Sequence, residues 1–431
     1  MRFKVIPGLP QHDVVYGAAT GVDGRIYLGV SNESHPGLHA LIYRYDPDTD
    51  TVTRIVDFAE LFPEARDPVR PPHCKIHLTL CIGGGGRVYA ASHLTAPPIG
   101  DRCHRVWETY DDPRRGYTGS HLVMHDPSTG EVRDLGIVME REGMQVMTAD
   151  PARDELYMIS YPRSHFLVYR VATGEVIDLG RISFERSFGL CCSMGYVYTA
   201  DDYGYLLRYD PERVRMERLP VQIPDAPWRD GGGNIIRRMA LGLDGVRMYG
   251  MGAKSARLFE YDPSVGPFGR ITDFGLLSGE DRPDGYSWLP APKAITVGLD
   301  GKVYCALGNR TYYVGPEPAS HIVSFDPETR EAVDHGPMEA DGLPPILDCQ
   351  DATTGLDGHL YFAPRVAEPP LRFVIFTPSG VGATVQSPLQ KTTAAGSPIP
   401  AGGREHALWH VHGGVPEPLL VPSAPSSEGG E

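Results

Sequence analysis

Apolar and polar residues alternate with a period of two through most of the chain, in runs of about five to eight residues that end at glycine, proline or aspartate. That period puts successive side chains on opposite faces of an extended strand, so the pattern predicts many short half-buried strands and no long helix. One phrase recurs, a glycine turn followed by a strand with a central tyrosine. It reads GRIYLGV at Tyr27, GRVYAAS at Tyr89, DELYMIS at Tyr157, GYVYTAD at Tyr198, GVRMYGM at Tyr249, GKVYCAL at Tyr304 and GHLYFAP at Tyr361. A second phrase follows most copies, an apolar strand running into Asp-Pro and a turn: IYRYDPDTD, LVMHDPSTG, LLRYDPERV, LFEYDPSVG and IVSFDPETR. It is degraded to LVYRVATGE in the third copy and to FVIFTPSG in the seventh. Proline presets one turn dihedral and glycine takes a positive one, so the second phrase marks a hairpin.

Each unit thus predicts four antiparallel strands: one before the glycine turn, the tyrosine strand, the Asp-Pro strand and a short closing strand such as TVTRIVDF or EVRDLGIV. The tyrosines are spaced by 62, 68, 41, 51, 55 and 57 residues, and four-stranded units of this length are the mark of propeller blades. A parallel solenoid has shorter and more uniform periods. The expectation is an all-β, seven-bladed β-propeller of four-stranded antiparallel blades over residues 1–381, its ring closed by an N-terminal strand at Arg2–Pro7. Residues 382–431 read as a C-terminal extension with a disordered Pro/Ser/Gly-rich end. The seven tyrosines, equivalent in every blade, are expected to pack between blades.

Composition agrees: 50 glycines and 40 prolines make up about a fifth of the 431 residues, against long helices. The formal charge of −15 argues against nucleic acid and anionic membrane as partners, so an anionic ligand needs a locally basic pocket. No apolar run approaches a membrane span and MRFKVIPGLP lacks the apolar core of a signal peptide, so a soluble, cytoplasmic protein is expected. Seven cysteines with no C-x-x-C pair suggest reduced, mostly buried thiols. The sequence specifies no oligomeric state.

Chemistry is sought where a propeller concentrates it, on the channel-lining first strands and the loops of one face. Blade two stands out. In PPHCKIHLTLC, alternation puts His73, Lys75, His77 and Thr79 on one side, and ASHLT brings His93 to the same rim. The loop after His93, roughly 27 residues, carries Arg102, His104, Arg105, Trp107, Tyr110 and Tyr117, and such a long loop in a compact repeat is commonly functional. Trp107 and Tyr110 suit stacking on a sugar ring, or pinning the loop to the body. Blade three adds Gln145, Tyr161 and Arg163, and blade five Arg237 and Arg238. Only six residues are lysine against 34 arginines, and Lys75, Lys254 and Lys293 fall at inner-strand or upper-loop positions.

Histidine and tyrosine for proton transfer, beside arginine and lysine for a carboxylate, suit β-elimination on a uronate-containing glycan. With KIHLTL, GRVYAASH and GYTGSHLVMHD, the seven-unit pattern resembles the seven-bladed propeller polysaccharide lyases. These act on oligogalacturonate, ulvan and rhamnose-glucuronate linkages, and include a related rhamnosidase branch. The resemblance implies an acidic oligosaccharide as substrate and His77 and His93 as the proton-transfer pair. It implies Tyr161 as a further acid and Arg163, Arg237 or Arg238 as carboxylate receiver; Lys75, Trp107, Tyr110 and Lys293 complete the expected substrate site. A divalent metal (Mn, Ca or Zn) would require His73, His77, His93 and Gln145 to meet from different strands. Two other classes stay open, a non-catalytic propeller scaffold and a metal-dependent lactonase or hydrolase.

Overall fold

A computed structural model describes residues 1–9, 11–33, 35–101, 107–185, 187–224, 234–253, 257–277, 291–308, 319–366 and 368–379. The expected C-terminal extension, 382–431, lies outside them, as do Arg102, His104, Arg105 and Lys254. The chain begins with β1 (Arg2–Val5). Four-stranded antiparallel meanders follow: β2 (Val14–Thr20), β3 (Ile26–Ser31), β4 (Leu41–Asp46) and β5 (Thr51–Asp57); then β6 (Leu80–Ile82), β7 (Val88–Ala91), β8 (Gly119–Asp126) and β9 (Glu131–Glu140). The third is β10 (Gly143–Asp150), β11 (Glu155–Tyr161), β12 (His165–Arg170) and β13 (Glu175–Arg181), and the fourth β14 (Cys191–Ser193), β15 (Tyr196–Ala200), β16 (Tyr205–Asp210) and β17 (Arg215–Gln222). The fifth is β18 (Ile236–Leu241), β19 (Met248–Gly252), β20 (Arg257–Asp262) and β21 (Arg270–Leu276), and the sixth β22 (Ala291–Val297), β23 (Val303–Gly308), β24 (His321–Phe325) and β25 (Ala332–Pro337). The last, β26 (Asp348–Thr354), β27 (Leu360–Arg365) and β28 (Arg372–Phe376), takes β1 as its fourth strand.

First strands touch in the circuit β2, β6, β10, β14, β18, β22, β26 and back to β2, so the meanders are the blades of a closed ring. The N-terminal strand closes it: β1 runs antiparallel to β28, from Arg2 opposite Ile375 to Val5 opposite Arg372.

The repeated tyrosines, all on second strands, hold the blades together. Five of them meet an aromatic ring on the third strand of the following blade: Tyr27 with His125 at 6.0 Å, Tyr157 with Tyr209 at 5.7 Å, Tyr198 with Tyr261 at 5.3 Å, Tyr304 with Phe376 at 5.9 Å, and Tyr361 with Tyr45 at 5.9 Å. Tyr89 shares a core cluster with Tyr169, and Tyr249 with Phe325. Where the second phrase is intact (His125, Tyr209, Tyr261, Phe325 and Tyr45) the partner is the residue just before Asp-Pro, which explains why both phrases recur together; Tyr169 and Phe376 hold the same place in the degraded copies. Burying such a ring stabilises by about 2–3 kcal/mol. The Asp of Asp-Pro works too: the Oδ1 atoms of Asp46, Asp126, Asp210, Asp262 and Asp326 each accept the backbone N–H two residues on, at 2.9–3.0 Å.

Blade two departs from the regular strand expected over residues 73–79. Only Leu80–Ile82 form β6, and the preceding segment is shared by three blades. Asn32 and Ala40 of blade one donate backbone N–H groups to Cys74 and His73, Lys75 pairs with His93 of blade two, and Leu78 donates to Gln145 of blade three. Pro71 and Pro72 remove backbone donors at its start. Gly17 permits its close approach to β2, since a Cβ there would lie 2.9 Å from Leu80 Cβ.

Candidate active site

Inner strands kink at one recurrent place. The pairing of first with second strand slips between Val15 and Gly17, Met144 and Val146, Ile236 and Arg238, Pro292 and Ala294, and Cys349 and Asp351. The bulged residues are Tyr16, Gln145, Arg237, Lys293 and Gln350. A bulge re-aims one side chain relative to the sheet, and here five blades aim a polar one into a common cluster. His77, from the irregular segment of blade two, and Phe188, just before β14, complete it.

His77 sits at the centre of this cluster. Its ring stacks on Tyr16 at 4.5 Å and on His93 at 5.3 Å, and His93 stacks on Tyr161 at 4.9 Å. His77 Nδ1 lies 2.7 Å from the Gln145 carbonyl oxygen, which can only accept, so Nδ1 carries the proton. Nε2 is then the basic atom; the Gln145 side-chain amide nitrogen stands over the ring, 2.9 Å from Nδ1 and 3.0 Å from Nε2. His93 differs: its Nδ1–H donates to the Leu94 carbonyl at 2.7 Å, and its Nε2 lies 3.4 Å from Gln145 Oε1, a second acceptor. Burial, reinforced by the positive charge of Lys75 and the neighbouring histidine and arginines, pulls the His77 pKa well below its ordinary value. His77 is therefore a neutral imidazole at neutral pH.

Charged groups surround it. Lys75 Nζ donates to Glu33 Oε1 at 2.5 Å and lies 4.2 Å above the Tyr16 ring, whose hydroxyl also donates to Glu33. Arg365 reaches the other Glu33 oxygen at 3.0 Å. Burial opposes charge on Glu33, but Lys75 and Arg365 outweigh it and hold the carboxyl at about 2. Opposite, Lys293 pairs with Asp348 at 3.3 Å. Arg237 donates to Gln350 Oε1 at 3.1 Å and covers the Phe188 ring at 4.5 Å, while Arg238 bonds backbone oxygens of Arg237 and Gln350. Burial, then the neighbouring Arg237, brings Arg238 down to about 9, still a cation at neutral pH. Among the described residues neither Arg237 nor Arg238 makes an ion-pair contact with a carboxylate, although Asp348 acts on both at longer range and Asp351 on Arg238, and Arg238 Nε is buried without a hydrogen bond.

His77, His93, Tyr161, Lys75, Arg237, Arg238, Lys293 and Gln145 thus converge. Others do not. Arg163 lies 4.2 Å over the Tyr110 ring, and both engage buried Glu142, Tyr110 by a 2.9 Å hydrogen bond and Arg163 at 3.6 Å. Tyr110 therefore pins the long loop to blade three. Trp107 is 62% exposed on that loop. His73, expected beside His77, turns to the other end of the segment, toward Glu64, Tyr117 and His121. The metal set His73, His77, His93 and Gln145 is accordingly divided. The three that remain lack a carboxylate and stand among Lys75, Arg237 and Arg238, a setting that repels a cation. Sequence reading missed Tyr16, Glu33 and Phe188. The available signal was a polar residue at the third place of VVYGA, matching GMQVM, APKAI and DCQDA in other inner strands.

No family model and no curated protein matches the chain at a significant level. Solved structures do match in fold. The extracellular domain assigned to hybrid two-component system BT4673 of B. thetaiotaomicron aligns with a TM-score of 0.54 at 10% identity, over 86% of this chain and 39% of that one. This chain therefore spans well under half the length of that domain. The WD40 repeats of RRP9 align at TM-score 0.54 and 11% identity, over 87% and 97% of the two chains. U3-55K aligns at 0.55 and 10%, over 87% and 98%. At such identities the likeness shows a β-propeller fold alone. No helix among the described residues is long and apolar enough to cross a membrane.

Proposed function

We propose that the channel cluster cleaves a uronate-containing glycan by β-elimination. The observation that carries this reading is the neutral His77, stacked on His93, which in turn stacks on Tyr161, and beside two arginines that make no close ion pair with a carboxylate among the described residues. Arg237 and Arg238 would receive the uronate carboxylate, which stabilises the negative charge that develops when the neighbouring C–H proton leaves. His77 Nε2 takes that proton. The C–H electron pair becomes the new carbon–carbon double bond, the glycosidic C–O bond breaks, and Tyr161 or protonated His93 returns a proton to the leaving oxygen. Lys75 and Lys293, tied to Glu33 and Asp348, keep the channel charge in place. The free thiols, buried or half-buried at each described cysteine, support a reducing, cytoplasmic setting.

The test is the ultraviolet absorbance of an unsaturated uronate across a panel of acidic glycans, with His77→Ala and His93→Ala compared in folded protein. Loss of roughly 100-fold or more in turnover by either variant is expected. Full turnover in both would remove His77 and His93 as the proton-transfer residues, and binding without any product by the wild type would leave a ligand-presenting propeller.

A further inference from the structure

We propose that Glu64, His73 and His121 form a mononuclear site for a divalent transition cation of the zinc class, separate from the channel cluster. Their ligand atoms all lie within 4.8 Å of one another. His121 Nε2 is 2.5 Å and His73 Nε2 3.6 Å from Glu64 Oε1. Two imidazoles and a carboxylate are a donor set suited to zinc and its neighbours.

The remaining ring nitrogens are anchored as metal-bound histidines require. His121 Nδ1 lies 2.9 Å from Asp134, giving a carboxylate–histidine pair behind the ligand atom. His73 Nδ1 contacts Ser92 Oγ at 3.0 Å and the Tyr117 hydroxyl at 2.9 Å. Phe62 stacks on His121 at 4.2 Å and meets His73 edge-on at 4.8 Å, fixing both planes. Thr118 Oγ1 stands 3.4 Å from His73 Nε2 and 3.5 Å from Glu64 Oε1, facing the same point. Glu64 and Asp134 carry two negative charges, which a divalent cation between neutral imidazoles would balance.

The repeat supplies an internal control. Blades three and six hold the same third-strand histidine on a fourth-strand aspartate, His165 with Asp178 and His321 with Asp334. Those histidine side chains are 20% and 39% exposed, against 7% for His121. Blade two alone of the three adds Glu64, from the 3-10 turn Pro63–Arg66, and His73 from the segment crossing the blades. A paired imidazolium needs Asp134 and at most one further carboxylate, and it gains nothing from a second imidazole 5.1 Å away. Two donors on a tetrahedral cation with bonds of about 2.0–2.1 Å stand roughly 3.3 Å apart. The Glu64 carboxylate, 25% exposed, would swing outward by under ~1 Å to admit it.

The experiment is metal analysis and cobalt(II) spectroscopy on the full chain, stripped with chelator and reloaded with zinc or cobalt. One equivalent should survive desalting in the wild type and in His165→Ala. It should be lost in Glu64→Gln, His73→Ala and His121→Ala, and weakened about 10- to 100-fold in Asp134→Asn. Undiminished binding by Glu64→Gln and His73→Ala, or loss in His77→Ala with retention in His73→Ala, would overturn the proposal. Should a variant lose the circular dichroism of the propeller, the wild-type cobalt spectrum decides. Intense visible d–d bands support the site, and the spectrum of the aquo ion refutes it.

Discussion

A histidine's environment decides which form it takes, and here the histidines divide. Burial lowers the pKa of His77 and of His73, and brings His39 to about 4, with His73 beside it adding to the effect. Apart from His73 and His121 of the proposed metal site, five described histidines are shifted down, against one, His165, held up by its aspartate partner. A folded pKa below the unfolded value means that the unfolded chain binds protons more readily. The stability these groups contribute is complete above about 6.5 and is lost as pH falls toward the folded values. The raised His165 acts oppositely, and it is outnumbered. The melting temperature should therefore fall between pH 7 and pH 5, and a flat or rising profile would contradict these assignments. The proposed catalysis has its own sign. A base with a depressed pKa stays deprotonated in mild acid, so the acid limb of kcat/KM should lie below about 6.5. An acid limb above neutrality would remove His77 as the base.

Among the elements, the short strands matter through what they close. β1 is only four residues long, yet it supplies the fourth strand of the last blade and leads into Ile6, 2% exposed in the core. Deleting residues 1–6 should lower the melting temperature by at least about 5 °C and open the edge of β28 to association between chains. Unchanged melting with a monomeric profile would show that ring closure does not depend on this ladder. The inner strands make a different point. Their bulges leave the first-to-second strand pairing intact on either side while turning one residue inward, so a strand can be regular in hydrogen bonding and still present a site.

Over the whole molecule, the charge of −15 contrasts with the channel, where Lys75, Arg237, Arg238, Lys293 and Arg365 face Glu33, Asp348 and Asp351. Burial also raises the Asp351 pKa, against the pull of Arg238. The excess of cations in an acidic protein predicts attraction of an anionic oligosaccharide that weakens with salt. Raising ionic strength from about 50 mM to about 500 mM should increase KM for an acidic glycan and leave a neutral one unaffected. Salt-independent binding of the acidic ligand would argue that these cations are spent on their internal carboxylates.

The repeat was legible in the chain because each blade must bury the same faces: Tyr27 and its six equivalents, and the aromatic before each Asp-Pro, are local patterns dictated by inter-blade packing. The closing strand was legible too, since Arg2–Val5 continues the alternation. Much of the channel cluster could be nominated, because lysine, arginine and histidine on inner strands lack an obvious structural reason to be there. Alternation alone could not say where residues 73–79 would go. A period-two reading groups His73 with His77, but backbone hydrogen bonds to three different blades divide them, and those partners are tens of residues away in sequence. Glu64 likewise reaches His121 across 57 residues from a turn that carries no motif. Bulges, burial and the meeting of distant side chains depend on packing around the ring, and only the tertiary structure decides them.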